Sequence, residues 1–212
     1  MIYGLISTLL AAPNSQEIQA ALESFNRSSY YTLPTLSNAQ LQDLLAGNTL
    51  SIIDQQGGTT EPRRAVGIRL SDQPKDKLWI ACQDAHFSQQ SSTKELRINF
   101  TEPDSATWYG FLDLPWPFSD RHWYVRVWNN HQLAIQTNNL AWEHPWELIE
   151  GGAETVQPYI AEGKLSGITV KMMDAAVYTP VNKGAWAMMT VEDSTLIIYH
   201  ATTQVGGNIP EE

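Results

Sequence analysis

The side chains in this sequence with the greatest potential for chemistry are one cysteine and five histidines. A carboxylate lies next to a histidine at two places, in Asp84-Ala-His86 and Glu143-His144. Cys82 precedes His86 by about one helical turn. Both lie at a helix end, where nothing else in the sequence marks a nucleophile, so we do not predict a catalytic dyad. The histidines, which are more often structural than catalytic, are His86, His122, His131, His144 and His200.

Motifs that hold a metal or a cofactor are absent from the sequence. It contains no His-x-x-x-His or paired Cys/His spacing, no Gly-x-Ser-x-Gly elbow and no glycine loop of the phosphate-binding type. We therefore predict no metal and no cofactor, and the sequence assigns no catalytic residue. With a single cysteine, an intramolecular disulfide is excluded.

Composition restricts the partners. The 212 residues carry a formal net charge of −10, which disfavours nucleic acid and anionic lipid surfaces. Tryptophan and tyrosine occur eight times each, against five phenylalanines, and both suit the wall of a cavity. The first twelve residues are uncharged and mostly apolar, too short for a membrane span but similar to a secretion signal. The protein is expected to be soluble, either cytoplasmic or exported.

Hydrophobic periodicity predicts short helices followed by strands. The helices are predicted from Asn14 or Ser15 to Phe25, from Asn38 to Ala46 behind a Ser37 cap, and from Pro74 to about Asp84. Strands are predicted at Thr49–Asp54, Arg64–Leu70, Glu95–Thr101, Thr107–Leu112, His122–Trp128, Gln132–Thr137, Gly167–Tyr178, Gly184–Val191 and Thr195–Thr203. The turn Gln55-Gln56-Gly57-Gly58 predicts a hairpin between the first two strands. These elements predict an α+β fold with a curved antiparallel sheet of seven to nine strands.

Residues 139–163 interrupt the strand pattern. Their Pro, Trp and Gly content is typical of a functional loop. Trp142, Pro145 and Trp146 are therefore predicted to form a gate.

Three segments in order resemble the START domain of the START-like, helix-grip superfamily. The first is Leu114-Pro-Trp-Pro-Phe-Ser-Asp-Arg-His122, similar to the Pro-rich corner and strand opening of the family. The second is Ala176-Val-Tyr-Thr-Pro-Val-Asn-Lys-Gly-Ala-Trp186, with its Gly-x-Trp. The third runs from Thr195-Leu-Ile-Ile-Tyr-His200 to Gly206-Gly-Asn-Ile-Pro210.

The resemblance implies a helix-grip domain over 46–212, preceded by a helical segment over 1–45. In this family the sheet encloses an apolar cavity for a lipid, sterol or similar ligand. His122 stands where the family usually has Asp, so any role of that Asp does not carry over. The long C-terminal helix that closes the family's cavity is expected to be missing, because the sequence stops at Glu212.

Period-two alternation supplies candidate cavity residues. On the strand from residue 121, one face carries Arg121, Trp123, Val125 and Val127, and Arg126 points the other way, toward solvent. On the strand predicted over 167–178, Asp174 lies on the more apolar face, where Arg121 is a candidate ion-pair partner. The complete set of predicted ligand-binding residues is Trp108, Arg121, Trp123, Val125, Met172, Asp174, Trp186, Met188 and His200.

We therefore expect a domain that binds a hydrophobic small molecule, for carriage or sensing. The partner is an apolar ligand, with no nucleic acid, no stable membrane span and at most transient membrane contact. Two alternatives stay open: an enzyme of the same fold, cyclase or hydrolase in type with His200 as acid or base, and a protein-interaction domain that uses exposed tryptophans.

Overall fold

The computed structural model describes residues 12–55, 62–83, 93–102 and 105–207, without the side chains of 99–102. Its helices are α1 (Ser15–Asn26), α2 (Asn38–Leu45), α3 (Lys75–Cys82), α4 (His131–Gln136), α5 (Gly152–Ala161) and α6 (Val170–Ala175). Its strands are β1 (Leu50–Asp54), β2 (Arg64–Ser71), β3 (Thr93–Glu102), β4 (Ser105–Leu112), β5 (Arg121–Trp128), β6 (Ala141–Leu148), β7 (Val177–Tyr178), β8 (Val181–Val191) and β9 (Ser194–Gln204). The signal-like start, most of the predicted hairpin turn, His86 and the Asn-Ile-Pro ending lie outside these ranges. No helix within them is long and apolar enough to cross a membrane.

The two N-terminal helices begin where the sequence predicts. The Asn14 side chain accepts hydrogen bonds from the backbone of α1, and the Glu17 carboxylate accepts one from the Asn14 backbone N–H, which forms a capping box. Ser37 and Gln40 form the same arrangement on α2. Gly47 follows α2 with φ of +84°, a conformation that suits glycine at a helix end. Local polar chemistry therefore fixes both helix starts.

The strands form one curved sheet in the order β1-β2-β9-β8-β6-β5-β4-β3, with β7 beside β5. Neighbours on the main path pair antiparallel, and the short β7 pairs parallel with β5. The predicted α+β class and strand number are confirmed. β1 and β2 pair with each other, and the other edge of β2 pairs over its whole length with β9, which lies far along the chain.

One face of the sheet, here called the helix face, carries α1, α2, α4, α5 and α6. The first two helices pack on β1, β2, β8 and β9, α4 packs on β6, and the two later helices pack on β4 and β5. The first core contains Ile18, Leu22, Phe25, Leu41, Leu44, Val66, Ile68, Leu133, Ala187, Met189, Leu196 and Ile198. The second contains Tyr109, Phe111, Tyr124, Val156, Ile160, Leu165, Ile168 and Met173. The opposite face, here called the pocket face, carries α3 at one end.

Two of the predicted strands are wrong. Gln132–Thr137 is helix α4, because the Asn130 side chain accepts from the Leu133 backbone and caps a helical turn. Half of Gly167–Tyr178 is helix α6, which Thr169 caps in the same way, and only Val177–Tyr178 is a strand, β7. In runs of six residues, period two and period 3.6 separate poorly, so the caps decide.

The predicted gate loop is also wrong. Residues 139–163 contain strand β6, between β5 and β8, and helix α5. Pro145 pairs with Ala185 of β8, and pairing with β5 begins only at Trp146. A proline is tolerated in a strand where the neighbour on one side is not bonded. Trp142, Pro145 and Trp146 therefore belong to the sheet.

Candidate ligand pocket

A pocket of about 350 Å³ lies on the pocket face of the sheet. Its floor is the exposed side of β4, β5, β6, β8 and β9, and the end of α3 forms one wall. The lining consists of Cys82, Glu95, Trp108, Tyr109, Gly110, Leu112, Arg121, Trp123, Val125, Val127, His144, Trp146, Thr179, Asn182, Trp186, Tyr199, Ala201, Thr203 and Val205. Most of this surface is apolar, as in sites that bind small molecules.

Four indoles and a phenol dominate the middle of the pocket: Trp108, Trp123, Trp146, Trp186 and Tyr199. The Tyr199 ring lies 4.6 Å from the ring of Trp186 and 5.7 Å from that of Trp146, between centroids. These separations are typical of packed aromatic pairs. Only period-two alternation is needed to bring the set to one face, since each residue occupies a pocket-face position of its strand.

Glycines make room for two of these indoles. A Cβ built on Gly110 would lie 2.5 Å from Nε1 of Trp123, the cross-strand neighbour on β5. A Cβ on Gly184 would collide with the Trp146 ring and with the backbone oxygen of His200. Both glycines are therefore required by the close approach of a neighbour, and the two indoles lie flat over the sheet as a result.

The sheet curls, so that its edge strand β3 approaches the inner strands β6 and β9 across the pocket. Burial and then the charge of Glu95, on β3, raise the pKa of Tyr199, on β9. Burial and then the charge of Arg97, also on β3, lower the pKa of His144, on β6, to about 4. Side chains on strands that are not neighbours in the sheet thus act on each other across the pocket. The pocket face is concave.

Helix α3 closes one end of the pocket through aromatic contacts. The Trp79 ring lies 5.5 Å from that of Trp142 and 6.1 Å from that of His144. The ammonium of Lys75 lies 3.8 Å from the Trp142 ring centroid and donates to the backbone oxygen of Asn139. Trp142 is therefore an anchor for α3 rather than part of a gate.

The polar groups at the α3 end do not form a nucleophilic site. Burial raises the pKa of the Cys82 thiol to about 12, and the thiol donates to the backbone oxygen of Trp79. The neutral His144 ring is held by Asn129, with 2.9 Å between Nδ1 and Oδ1. A protonated thiol is a poor nucleophile. Among the described residues, no group of three or more His, Cys, Asp or Glu could hold a metal.

The opposite end of the pocket is also polar, and its main group is Arg121. Its guanidinium donates to the backbone oxygens of Ser119, Asp120 and Gly206, at 2.5, 3.1 and 2.7 Å. Thr179 and Asn182 lie at the same end, and Asn182 accepts a hydrogen bond of 2.9 Å from Nε1 of Trp146. The pocket therefore has an aromatic middle between two polar ends.

The structure brings together about half of the predicted site residues. Trp108, Arg121, Trp123, Val125 and Trp186 line the pocket, as does Trp146 of the supposed gate. Arg126 is exposed on the other face, as predicted. That these residues bind a ligand stays a prediction. Sequence reasoning missed Gly110, His144, Asn182, Tyr199 and Ala201, although the same alternation places them on the pocket face.

The other predicted residues lie elsewhere. Met172 and Asp174 are on helix α6, which packs on the helix face. The expected ion pair of Asp174 with Arg121 is not formed; Asp174 accepts from Gln157 at 3.5 Å instead. His200 points to the helix face, since its neighbours Tyr199 and Ala201 line the pocket. Met188 is buried on the pocket face opposite Trp142, toward α3 and outside the lining.

His122, which replaces the family's usual Asp, also lies on the helix face. It is 3% exposed, and its Nδ1 lies 3.2 Å from the hydroxyl of Tyr109. Burial lowers the pKa of His122 to about 4, against the opposing charge of Asp174. The ring of Tyr178 packs against it at 5.1 Å. His122 is therefore a neutral core residue and is not part of the pocket.

A methyl group on Gly110 tests whether the flat position of Trp123 shapes the pocket. In Gly110→Ala the indole is expected to swing into the pocket and weaken binding of an apolar probe about tenfold, at a stability cost of about 1 kcal/mol. Fluorescence titration with N-phenyl-1-naphthylamine measures the first effect and denaturant unfolding the second. Gly67→Ala is the control, because a Cβ there meets only a backbone oxygen at 3.8 Å. Unchanged affinity in Gly110→Ala would contradict this role of Trp123.

Several solved structures are similar to this chain. A STAR-related lipid transfer protein from Xanthomonas axonopodis is 17% identical, over 77% of this chain and 80% of that chain, with a TM-score of 0.54. Human STARD10 is 13% identical, over 95% of this chain and 71% of that chain, with a TM-score of 0.56. The lipid transfer and protein localization domain of human StarD13 is 9% identical, over 84% and 88%, with a TM-score of 0.53.

These similarities are structural. No family model and no curated protein matches the sequence. At such low identity the likeness concerns the backbone fold alone. The chain therefore has the START-like, helix-grip fold that its three sequence segments predict.

Proposed function

We propose that this protein binds a hydrophobic small molecule in the aromatic pocket. The observation that carries the proposal is the concave face itself, where four indoles and a phenol surround about 350 Å³ of space. Apolar side chains that line an open pocket stay in contact with water until a ligand covers them, so binding is driven by removal of that surface. The names of two similar structures, which describe lipid transfer, support the same class of ligand.

The size of the pocket sets the expected affinity. A ligand that buries roughly 400 Å² of apolar surface gains about 10 kcal/mol at about 25 cal/mol per Å². Loss of translational and rotational freedom removes about 4 of those kcal/mol, which leaves a dissociation constant in the range of tens of micromolar. Such an affinity suits a carrier or a sensor, which must also release its ligand.

The chemistry of the lining favours binding over turnover. The imidazole of His144 is held by Asn129 and the thiol of Cys82 is protonated, so the described part of the pocket wall offers no activated nucleophile. His200, the predicted acid or base, lies on the opposite face of the sheet. We assign the described pocket the role of a binding site.

Uptake of a neutral fluorophore tests the proposal. Full-length protein is expected to bind N-phenyl-1-naphthylamine at micromolar concentration with a blue-shifted emission. Native mass spectrometry of protein purified without detergent is expected to show a co-purified apolar ligand. Absence of both signals would overturn the proposal.

Filling the pocket should abolish that uptake. Ala201 lies in the pocket wall beside Gly184, and an indole at this position would occupy much of the free volume. In Ala201→Trp we expect probe affinity to fall by about a hundredfold, equivalent to about 3 kcal/mol. The matched control is Ala161→Trp, which adds the same ring at an exposed position on α5. If both variants bind the probe like the wild type, the probe binds outside the pocket.

A further inference from the structure

The polar end of the pocket contains hydrogen-bond donors that lack acceptors. Arg121 is 2% exposed and Thr179 is 1% exposed. Among the described residues, Nε of Arg121 and Oγ1 of Thr179 have no hydrogen-bond partner, and neither does Nε1 of Trp108 in the middle of the pocket. All three residues line the pocket. Buried donors are nearly always paired in folded proteins, so three unpaired donors around one pocket point to a ligand that brings acceptors.

The positive charge of Arg121 also lacks a carboxylate partner in the part of the chain that the structure describes. Backbone oxygens of Ser119, Asp120 and Gly206 hold the other nitrogens of Arg121, and these groups carry no net charge. Among the described residues, no carboxylate lies within 4.0 Å of the guanidinium. A buried cation without an anion is costly, and a bound anion would remove that cost.

The pairing of the strands places the donors together. Arg121 begins β5 and pairs with Val177 of β7, and Thr179 follows β7 directly and donates its backbone N–H to the oxygen of His122. Gly206, held by Arg121, follows β9. The start of β5, the end of β7 and the end of β9 therefore meet at one corner of the pocket, next to its aromatic middle.

We infer that the ligand is an amphipathic acid whose anionic group is bound at the corner formed by Arg121 and Thr179. The apolar part of the ligand lies across the indoles of Trp123, Trp146 and Trp186. An oxyanion matches the site in two ways: it accepts hydrogen bonds from both donors and neutralises the guanidinium. This inference rests on the proposed function and specifies the class of ligand.

Among the described residues that line the pocket, Glu95 carries the carboxylate. It lies on β3 and pairs with Gly110, one row of side chains away from Arg121, and its charge acts on Tyr199. A ligand acid at the corner is therefore repelled by the Glu95 charge, one row away. Removal of the Glu95 charge should strengthen acid binding, whereas changes at the corner should weaken it.

A pair of matched probes tests the inference. Decanoate and 1-decanol have the same chain and differ in charge, and each can displace N-phenyl-1-naphthylamine from the wild-type protein. We expect decanoate to bind about tenfold more tightly than 1-decanol, the difference expected for a charge-assisted hydrogen bond. Equal affinities would overturn the inference and leave the proposed function intact. Failure of all three compounds to bind would overturn both.

Variants at the corner locate the effect. In Thr179→Val, which keeps the shape of the side chain, decanoate affinity should fall about threefold with 1-decanol unchanged. In Arg121→Gln the preference for decanoate should vanish, and Arg121→Lys should keep part of it because the charge remains. Glu95→Gln is the control, because it should raise the affinity for decanoate rather than lower it. Because Arg121 also holds Gly206, its variants are first checked for folding by circular dichroism. If they do not fold, the result for Thr179→Val decides the test. An unchanged preference in Thr179→Val and Arg121→Lys, with a loss in Glu95→Gln, would place the acid elsewhere.

Discussion

Gly184→Ala is expected to lower the free energy of unfolding by about 3 kcal/mol or more. A Cβ on Gly184 would press against the backbone oxygen of His200 on β9 and against the Trp146 indole. An indole can rotate, but a carbonyl oxygen in a central strand moves only if β8 and β9 separate. Overpacking of a well-packed interior typically costs 1–3 kcal/mol, and contact with backbone lies at the upper end.

Gly67→Ala supplies the matched control for that variant. Gly67 lies on β2 beside Tyr199 of the same strand β9, and a Cβ there meets ordinary van der Waals contact. This variant should remain within about 0.5 kcal/mol of the wild type, as most tolerated substitutions do. Urea unfolding followed by far-ultraviolet circular dichroism measures both. Equal stability of the two variants would show that β8 and β9 are not as close as described.

Acid should unfold the protein steeply between about pH 6 and pH 4. Burial lowers the pKa of His122 and of His144 to about 4 and that of His200 to about 3, and Arg64 lowers the last further. In the unfolded chain each of the three returns to an ordinary value of 6.5. Between these values the unfolded state binds more protons, so stability falls as the pH falls.

The slope of that loss follows from the number of protons. Three histidines contribute up to about 4 kcal/mol per pH unit, at about 1.4 kcal/mol for each proton. Glu143 acts in the opposite direction, because burial raises the pKa of its carboxyl and the folded state then holds its proton more tightly. A net uptake of two to three protons on unfolding is expected.

Denaturant titrations at half-unit pH steps measure this slope. His200→Phe keeps a ring against Tyr31, which packs 5.1 Å from His200, and should reduce the slope by about one proton. His131→Gln, at an exposed position, should leave the slope as it is in the wild type. A wild-type slope near zero would mean that the three imidazoles are already solvated in the folded protein.

Most of the helices and strands could be predicted because their signals are local. Asn14 and Ser37 cap α1 and α2 with side-chain bonds that the sequence shows directly. β4, β5, β8 and β9 are rich in aromatic and β-branched residues and alternate over eight or more positions, long enough for the period to be clear.

The misread segments lack such signals. β6 contains two tryptophans, two glutamates and a proline, and its strand state depends on neighbours far away along the chain, such as Lys183, which pairs with Glu147 from 36 residues away. β-propensity depends on cross-strand packing, which a single strand does not reveal. Helices α4 and α6 have six residues each, and only Asn130 and Thr169 mark their starts.

The sequence predicts which residues of a strand lie together on one face, but it predicts only in part which face of the sheet carries the pocket. Alternation correctly placed Arg121, Trp123, Val125 and Val127 together. It did not show which face is covered by helices, since His122 and Tyr124 on the other face are just as buried. The assignment of His200 to the pocket was wrong for that reason: its neighbour Tyr199 occupies the position that lines the pocket.

The pairing of β2 with β9 also has a consequence for how the chain folds. Arg64 meets Thr202 and Ser71 meets Thr195, so the first hairpin finds its partner only when the last strand has been synthesised. Contacts so distant in sequence slow folding, because a large loop must close before they form. During translation the β2 edge stays unpaired and able to join a strand of another chain. We expect refolding to be slow, and nascent chains that stop before Ser194 to be prone to aggregation.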